Sequence, residues 1–236
     1  MTGGTDEIIE NGEPTDYLKI VKQIVDYAIE QNKSGINYPI FGTCLGFHSM
    51  LVALTQYELP LHLSENDKIT KLVNLTSSAY DSYLNLVFSN EEIDRLGTES
   101  VFLFRQHHGF FLDELVTYPY IQNNIMVIGT SITKGGINTL SIYQHKEYPF
   151  FATQFHAEKV QFEHEDSLNI NLTEYSLDIN AKLALVFRKM IGKSRVNMSN
   201  KMILSYRKNY SLVIGRETLD ETLMFYNSGN DVGSIV

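Results

Sequence analysis

Apolar side chains at Tyr17, Ile20, Val21, Ile24, Val25 and Ala28 recur at the spacing of one helix face, beginning just after Pro14 and Thr15. That pattern predicts an amphipathic helix from Thr15 to Gln31. A short apolar run, Tyr38 to Gly42, comes next, then a turn through Thr43, Cys44, Leu45 and Gly46, then the unbroken apolar stretch from Phe47 to Leu54. A strand, a tight turn and a helix account for it most simply. From Leu63 to Asn124 apolar content persists without a clean period, so this region reads as mixed, with one or two helical turns at EEIDRLG. Three β-rich runs follow, at Ile125 to Ile132, Ile137 to Tyr143 and Phe150 to Phe155, and Lys134, Gly135 and Gly136 mark a hairpin between the first two. A helix is predicted over Ile179 to Ile191, with Ala181, Leu183, Ala184, Val186, Phe187 and Met190 as its apolar set. A polar Lys/Asn-rich segment and a final β-like stretch near Tyr206 to Phe225 complete the chain. With no repeat and no low-complexity linker, residues 1–236 read as a single domain.

Composition narrows the function classes. A 43% hydrophobic and 20% charged content is that of an ordinary globular protein. The net charge of -9 argues against a sequence-independent nucleic-acid binder, which needs clustered Lys and Arg to displace counterions. No stretch approaches the roughly 20 apolar residues of a membrane span. The first residues, MTGGTDEIIENGEP, lack the basic-then-apolar pattern of a signal peptide. Sequons at Asn32, Asn74, Asn171, Asn197 and Asn209 are consistent with a glycosylated chain or with a composition rich in Asn and Ser.

The sole cysteine, Cys44, has Gly42 and Gly46 two residues away on either side. Glycine tolerates backbone angles and close approaches that a side chain blocks, which lets a chain turn sharply from strand to helix around a nucleophile. A cysteine at a helix start gains thiolate character from the helix dipole, and the Leu45 N–H would then lie near a developing oxyanion. The competing reading of Cys44 is a small buried hydrophobe. A nucleophile needs a base. His156 ends an apolar strand in FATQFHAEK, with Glu158 two residues on, so in extended chain both side chains point to one side and the carboxylate can orient the imidazole. Cys44, His156 and Glu158 together form a set suited to acyl transfer. His107, His108, His156 and His164 lack the compact spacing of a metal site, and neither a metal nor a cofactor is expected.

YPIFGTCLGF resembles the nucleophile segment of the gamma-glutamyl hydrolases, within the class I glutamine amidotransferase-like superfamily, and YPFFATQFHAEKVQFE resembles their histidine segment. FRQHHGFF is similar to the histidine-containing segment between them, TGGT at residues 2 to 5 to their glycine pair, and YSLVIGRETLDETLMFYN to their tail. The resemblance implies a flavodoxin-like three-layer α/β sandwich and hydrolysis of folate or antifolate poly-gamma-glutamates through a thioester on Cys44. His156 would be general base and acid, with Glu158 orienting it. Backbone N–H groups of Leu45, Gly3 and Gly4 would form the oxyanion hole, and His107 would sit near the substrate. For so anionic a substrate, Lys159 and Arg105 are the nearby candidate cations. A lysosomal, vacuolar or extracellular location and a homodimer are further implications.

The chain departs from that pattern in three places. Ala157 stands where the family usually has proline, and His48 where animal members tend to carry an acidic residue. Met1 immediately precedes the Gly3–Gly4 pair, where the family carries three strands and their helices, so the chain reads as truncated at its amino end. Two rival functions stay open: a glutaminase unit serving a synthetase, and an inactive truncated copy of the hydrolase.

Overall fold

The computed structural model describes residues 1–4, 7–160, 170–192, 211–214 and 224–227, with side chains excluded at 64–68, 105–107 and in the last two segments. The chain divides into two compact units, Met1–Ser194 and Arg195–Val236. In the first, a small hairpin of Ile9–Glu10 (β1) and Glu13–Pro14 (β2) leads into the helix Asp16–Lys33 (α1), the strand Ile40–Thr43 (β3) and the helix Leu45–Leu54 (α2). His62–Lys71 (β4), Asn74–Leu75 (β5), two 3-10 turns, and the helix Asn90–Leu96 (α3) follow. Phe102–Gly109 (β6), the short helices Leu112–Leu115 (α4) and Pro119–Asn124 (α5), Ile125–Ile132 (β7), Asn138–His145 (β8), Phe150–Thr153 (β9) and Glu174–Ile191 (α6) complete the first unit. In the second unit, Ser211–Ile214 (β10) and Met224–Asn227 (β11) pair antiparallel; β10 falls in the stretch expected to be β-like, β11 runs two residues past its end at Phe225, and the rest of that stretch lies outside the described residues.

The central sheet is mixed, in the order β3-β9-β8-β7-β5. Only β3 and β9 are parallel; β9, β8, β7 and β5 are joined antiparallel. Strand β9, sequence FFAT, is buried at all four residues, as expected of a strand covered on both faces. Its alternation divides the core. Phe150 and Ala152 pack with α1 and α2, whereas Phe151 packs with α3 and α6 on the other face. The first unit is therefore a three-layer α/β sandwich, with β4 and β6 forming a separate antiparallel ribbon.

Thr15 caps α1, its Oγ1 accepting from Leu18 N. The buried stripe of this helix is Leu18, Val21, Val25 and Ala28, while Ile20 and Ile24, which belong to the expected apolar face, are exposed. The two candidate stripes share Val21, Val25 and Ala28, and tertiary contact with α2 selects the one carrying Leu18. Helix α2 is buried at all ten residues, which is why its sequence shows no polar face. The mixed middle resolves into short elements, among them α3, where Ser89 and Glu92 form a reciprocal capping box. Among the described residues no helix is long and apolar enough to cross a membrane.

Candidate active site

The parallel pairing of β3 with β9 sets the site. Thr43 is in register with Thr153, so the residues that leave these strands, Cys44 on one and Gln154 to Glu158 on the other, emerge side by side at their carboxyl ends. Loops at that end of an open α/β sheet are where such folds gather functional groups. The Cys44 N–H donates to Thr153 O at 3.0 Å, and the His156 N–H to Leu103 O at 2.8 Å, tying both turns to neighbouring strands.

Cys44 has φ 52° and ψ -106°, a left-handed conformation that an L-residue adopts only at a cost of about 1–3 kcal/mol. The surrounding glycines make it sterically feasible. A Cβ on Gly42 would stand 2.7 Å from Gly46 O, and one on Gly46 would stand 2.5 Å from Met1 O. Met1 itself pairs with β3, its ammonium donating to Phe41 O at 2.8 Å and its carbonyl accepting from Thr43 N at 3.1 Å. The Gly46 N–H donates to Thr2 O. These bonds lay residues 1–4 along the strand and across the start of α2.

Gly3 consequently lies against two residues distant from it in sequence. A Cβ there would be 2.6 Å from His156 Cε1 and 3.4 Å from Cys44 Cβ; on Gly4 it would be 2.9 Å from Leu45 Cδ2. The structure thus brings Gly3, Gly4, Cys44, Leu45, His156 and Glu158 into one place. His107 lies on β6 and its side chain is outside the described residues, as are those of Arg105 and all of His164. Lys159 is partly buried in the turn immediately after Glu158.

Cys44 is 7% exposed and His156 4%. His156 Nδ1 meets Glu158 Oε1 at 2.6 Å, and the Glu158 side chain is 55% exposed. Burial is the largest single influence on His156 and pulls its pKa down. Hydrogen bonds to Cys44 and Glu158, and the charges of both, oppose burial and raise the pKa to about 9. At neutral pH His156 is therefore an imidazolium held between a carboxylate and a sulfur.

Two buried polar side chains, His48 and Gln154, lie near this trio in sequence and fold. His48, on the first turn of α2, packs edge-on against Phe47 and Phe110. Burial first, and His108 second, lower its pKa to about 3, so it is neutral. The Gln154 amide lies close enough to His48 to oppose that shift, although among the described residues neither its two amide atoms nor His48 Nε2 meets full hydrogen-bond geometry. Sequence reasoning misses Gln154, and the strand expected to run to Phe155 ends at Thr153, so Gln154, His156 and Glu158 stand on the bend and turn that follow β9. Among the described residues no group of three His, Cys, Asp or Glu side chains could hold a metal.

A cysteine on a strained strand-to-helix turn, beside a histidine that a carboxylate holds by Nδ1, is an arrangement chemically capable of acyl transfer. The sequence profile of the family "Glutamine amidotransferase class-I" matches residues 4–173, and the chain belongs to that family. Its similar curated proteins include "Gamma-glutamyl hydrolase 1" of Arabidopsis thaliana, 26% identical over 217 residues that cover 89% of this chain and 62% of the relative. "Gamma-glutamyl hydrolase" of Mus musculus is 26% identical over 164 residues, covering 69% and 50%. "Gamma-glutamyl hydrolase B" of Dictyostelium discoideum is 23% identical over 228 residues, covering 91% and 63%. The chain spans about half to two thirds of the length of these relatives. A solved structure from Thermoplasma acidophilum, assigned as part of a GMP synthase, aligns with a TM-score of 0.45 at 18% identity, covering 81% of this chain and 74% of that one.

Proposed function

We propose that this protein is a cysteine-dependent gamma-glutamyl hydrolase. The observation that carries the reading is Cys44 in its left-handed turn, hydrogen-bonded to an imidazole that Glu158 holds by Nδ1. Its relatives bearing the name gamma-glutamyl hydrolase support the choice of bond. The substrate class, taken from the resemblance of the nucleophile and histidine segments, is folate poly-gamma-glutamate. The compartment that goes with it is a lysosome, a vacuole or the extracellular space.

In this reaction the Cys44 sulfur attacks the carbonyl carbon of the gamma-amide, and the carbonyl π electrons move onto oxygen. The imidazolium of His156 supplies the counter-charge that an attacking thiolate requires. N–H groups of Leu45 and of the Gly3–Gly4 segment stabilise the oxyanion. Collapse of the tetrahedral species breaks the C–N bond, and His156 delivers its proton to the leaving amine. A thioester remains on Cys44. Neutral His156 then takes a proton from water, the resulting hydroxide adds to the thioester carbonyl, and the C–S bond breaks to leave the sulfur as thiolate beside the imidazolium and the product as a gamma-carboxylic acid, which loses its proton to solvent. Glu158 holds the ring in one tautomer throughout, and Lys159 offers a cation for the substrate's carboxylates.

The family match favours a second reading, a glutaminase unit, in which the same sulfur attacks the side-chain amide of glutamine and ammonia leaves. Assaying the full chain on a folate-type poly-gamma-glutamate and on glutamine separates the two. Glutamate release that Cys44→Ala reduces by about 10³-fold or more supports the hydrolase. Equal release by both chains rules out the cysteine mechanism, and ammonia release from glutamine alone favours the second reading.

A further inference from the structure

His145 ends β8 and begins the turn into β9, and it is 2% exposed. Its Nδ1 accepts two main-chain N–H groups of that turn, from Glu147 at 3.0 Å and from Tyr148 at 3.1 Å. A ring nitrogen that accepts carries no proton, so the proton of neutral His145 sits on Nε2, which faces Tyr120 Oη at 3.3 Å. Tyr148 and Phe150 pack on the ring, with centroids 4.7 and 6.0 Å away. The neutral imidazole therefore does what an Asn or Asp side chain does at a turn: it binds N–H groups two and three residues further on.

Acid reverses this contact. A protonated Nδ1 is itself a donor and would meet two other donors inside a buried ring environment. Burial accordingly lowers the His145 pKa to about 4. Tyr120 from α5 and Tyr148 from the turn face the ring as phenols, which ionise only in alkali, and Ile125 from β7 and Phe150 from β9 bring no charge to it. Lys146 and Glu147 flank it in the turn with exposed side chains. The same turn ends at Pro149, whose carbonyl accepts from Ile40 N at 3.0 Å where the pairing of β3 with β9 begins. The far end of that pairing, Thr43 with Thr153, carries Cys44 and His156. We propose that His145 is an acid-sensitive latch: a proton on Nδ1 displaces the Glu147 and Tyr148 N–H groups, opens the β8–β9 turn and frees the start of the β3–β9 ladder. The latch works whether or not Cys44 is a nucleophile.

Amide hydrogen exchange of the full chain, followed from about pH 7 to about pH 4, tests the latch. A histidine of pKa about 4 in the closed turn and of the ordinary 6.5 in the open one leaves the closed turn at full strength above pH 6.5 and weakens it as pH falls towards 4. Protection factors at the Glu147, Tyr148 and Ile40 amides should therefore fall together, about tenfold per pH unit across that window. His145→Asn keeps an acceptor, Oδ1, for the same two N–H groups and has no proton to gain. Its protection at these amides should fall at least tenfold less over the same range. Protection that stays constant in the wild-type chain, or an equal decline in a folded His145→Asn protein, overturns the latch; if the variant does not fold, the wild-type series decides alone.

Discussion

His156 concentrates the electrostatics of the site in one ring. Its folded pKa of about 9 lies above the ordinary 6.5, so the stability it contributes is fully present below about pH 6.5 and is lost as pH rises towards and through 9. After discounting for the half-exposed Glu158, the amount is on the order of 1–2 kcal/mol. Glu158→Gln should lower the His156 titration midpoint in an NMR pH series and flatten the fall in stability between those pH values, with little change at pH 9.5 and above. Gly3 tests geometry instead of charge. Gly3→Ala would place a methyl 2.6 Å from His156 Cε1, forcing the ring aside. A displacement of that kind should reduce turnover of a gamma-glutamyl substrate about 10²-fold, while the thermal midpoint moves by only a few degrees. An active Gly3→Ala protein would mean that the ring position does not matter.

At the scale of elements, the turn between β3 and α2 stores strain where the chemistry is proposed to occur. Glycine pays almost nothing for the backbone angles that Cys44 holds. Comparing Cys44→Gly with Cys44→Ala therefore isolates the backbone, since both lack the sulfur. The glycine variant should be the more stable by about 1–2 kcal/mol in denaturant unfolding, a reversal of the usual order at the start of a helix. An alanine variant equal to or more stable than the glycine one would show that the turn relaxes on losing the sulfur. The glycines at 42 and 46 serve the same turn by different means: Gly42 lets β3 pass close to the α2 backbone, and Gly46 lets Met1 lie across it.

For the whole molecule, charge is the property that matters to the proposed substrate. A chain of net charge -9 repels a polyanion, and salt screens that repulsion. For a long folate poly-gamma-glutamate, kcat/KM should rise several-fold between about 0.01 M and 0.15 M ionic strength. A mono-gamma-glutamyl substrate should respond less. A falling kcat/KM over the same range would mean that local cations, Lys159 among them, outweigh the global field.

Much of this molecule is written in short-range pattern. Thr15 as cap, the apolar run of α2, the three β-rich runs and the glycine-flanked cysteine are legible because helix and strand periods repeat within a few residues. The His156–Glu158 contact is local too, but it is made in the turn after β9 ends at Thr153, not along the extended chain that the sequence pattern suggests. What the tertiary structure decided is everything that depends on register between distant segments. Parallel pairing of Thr43 with Thr153 carries His156 to Cys44, and pairing of Met1 with β3 carries Gly3 to both. The choice of Leu18 over Ile20 and Ile24, and the burial of Gln154 beside His48, have the same origin. Periodicity states which side chains share a face; only the packing of one element on another determines what that face meets.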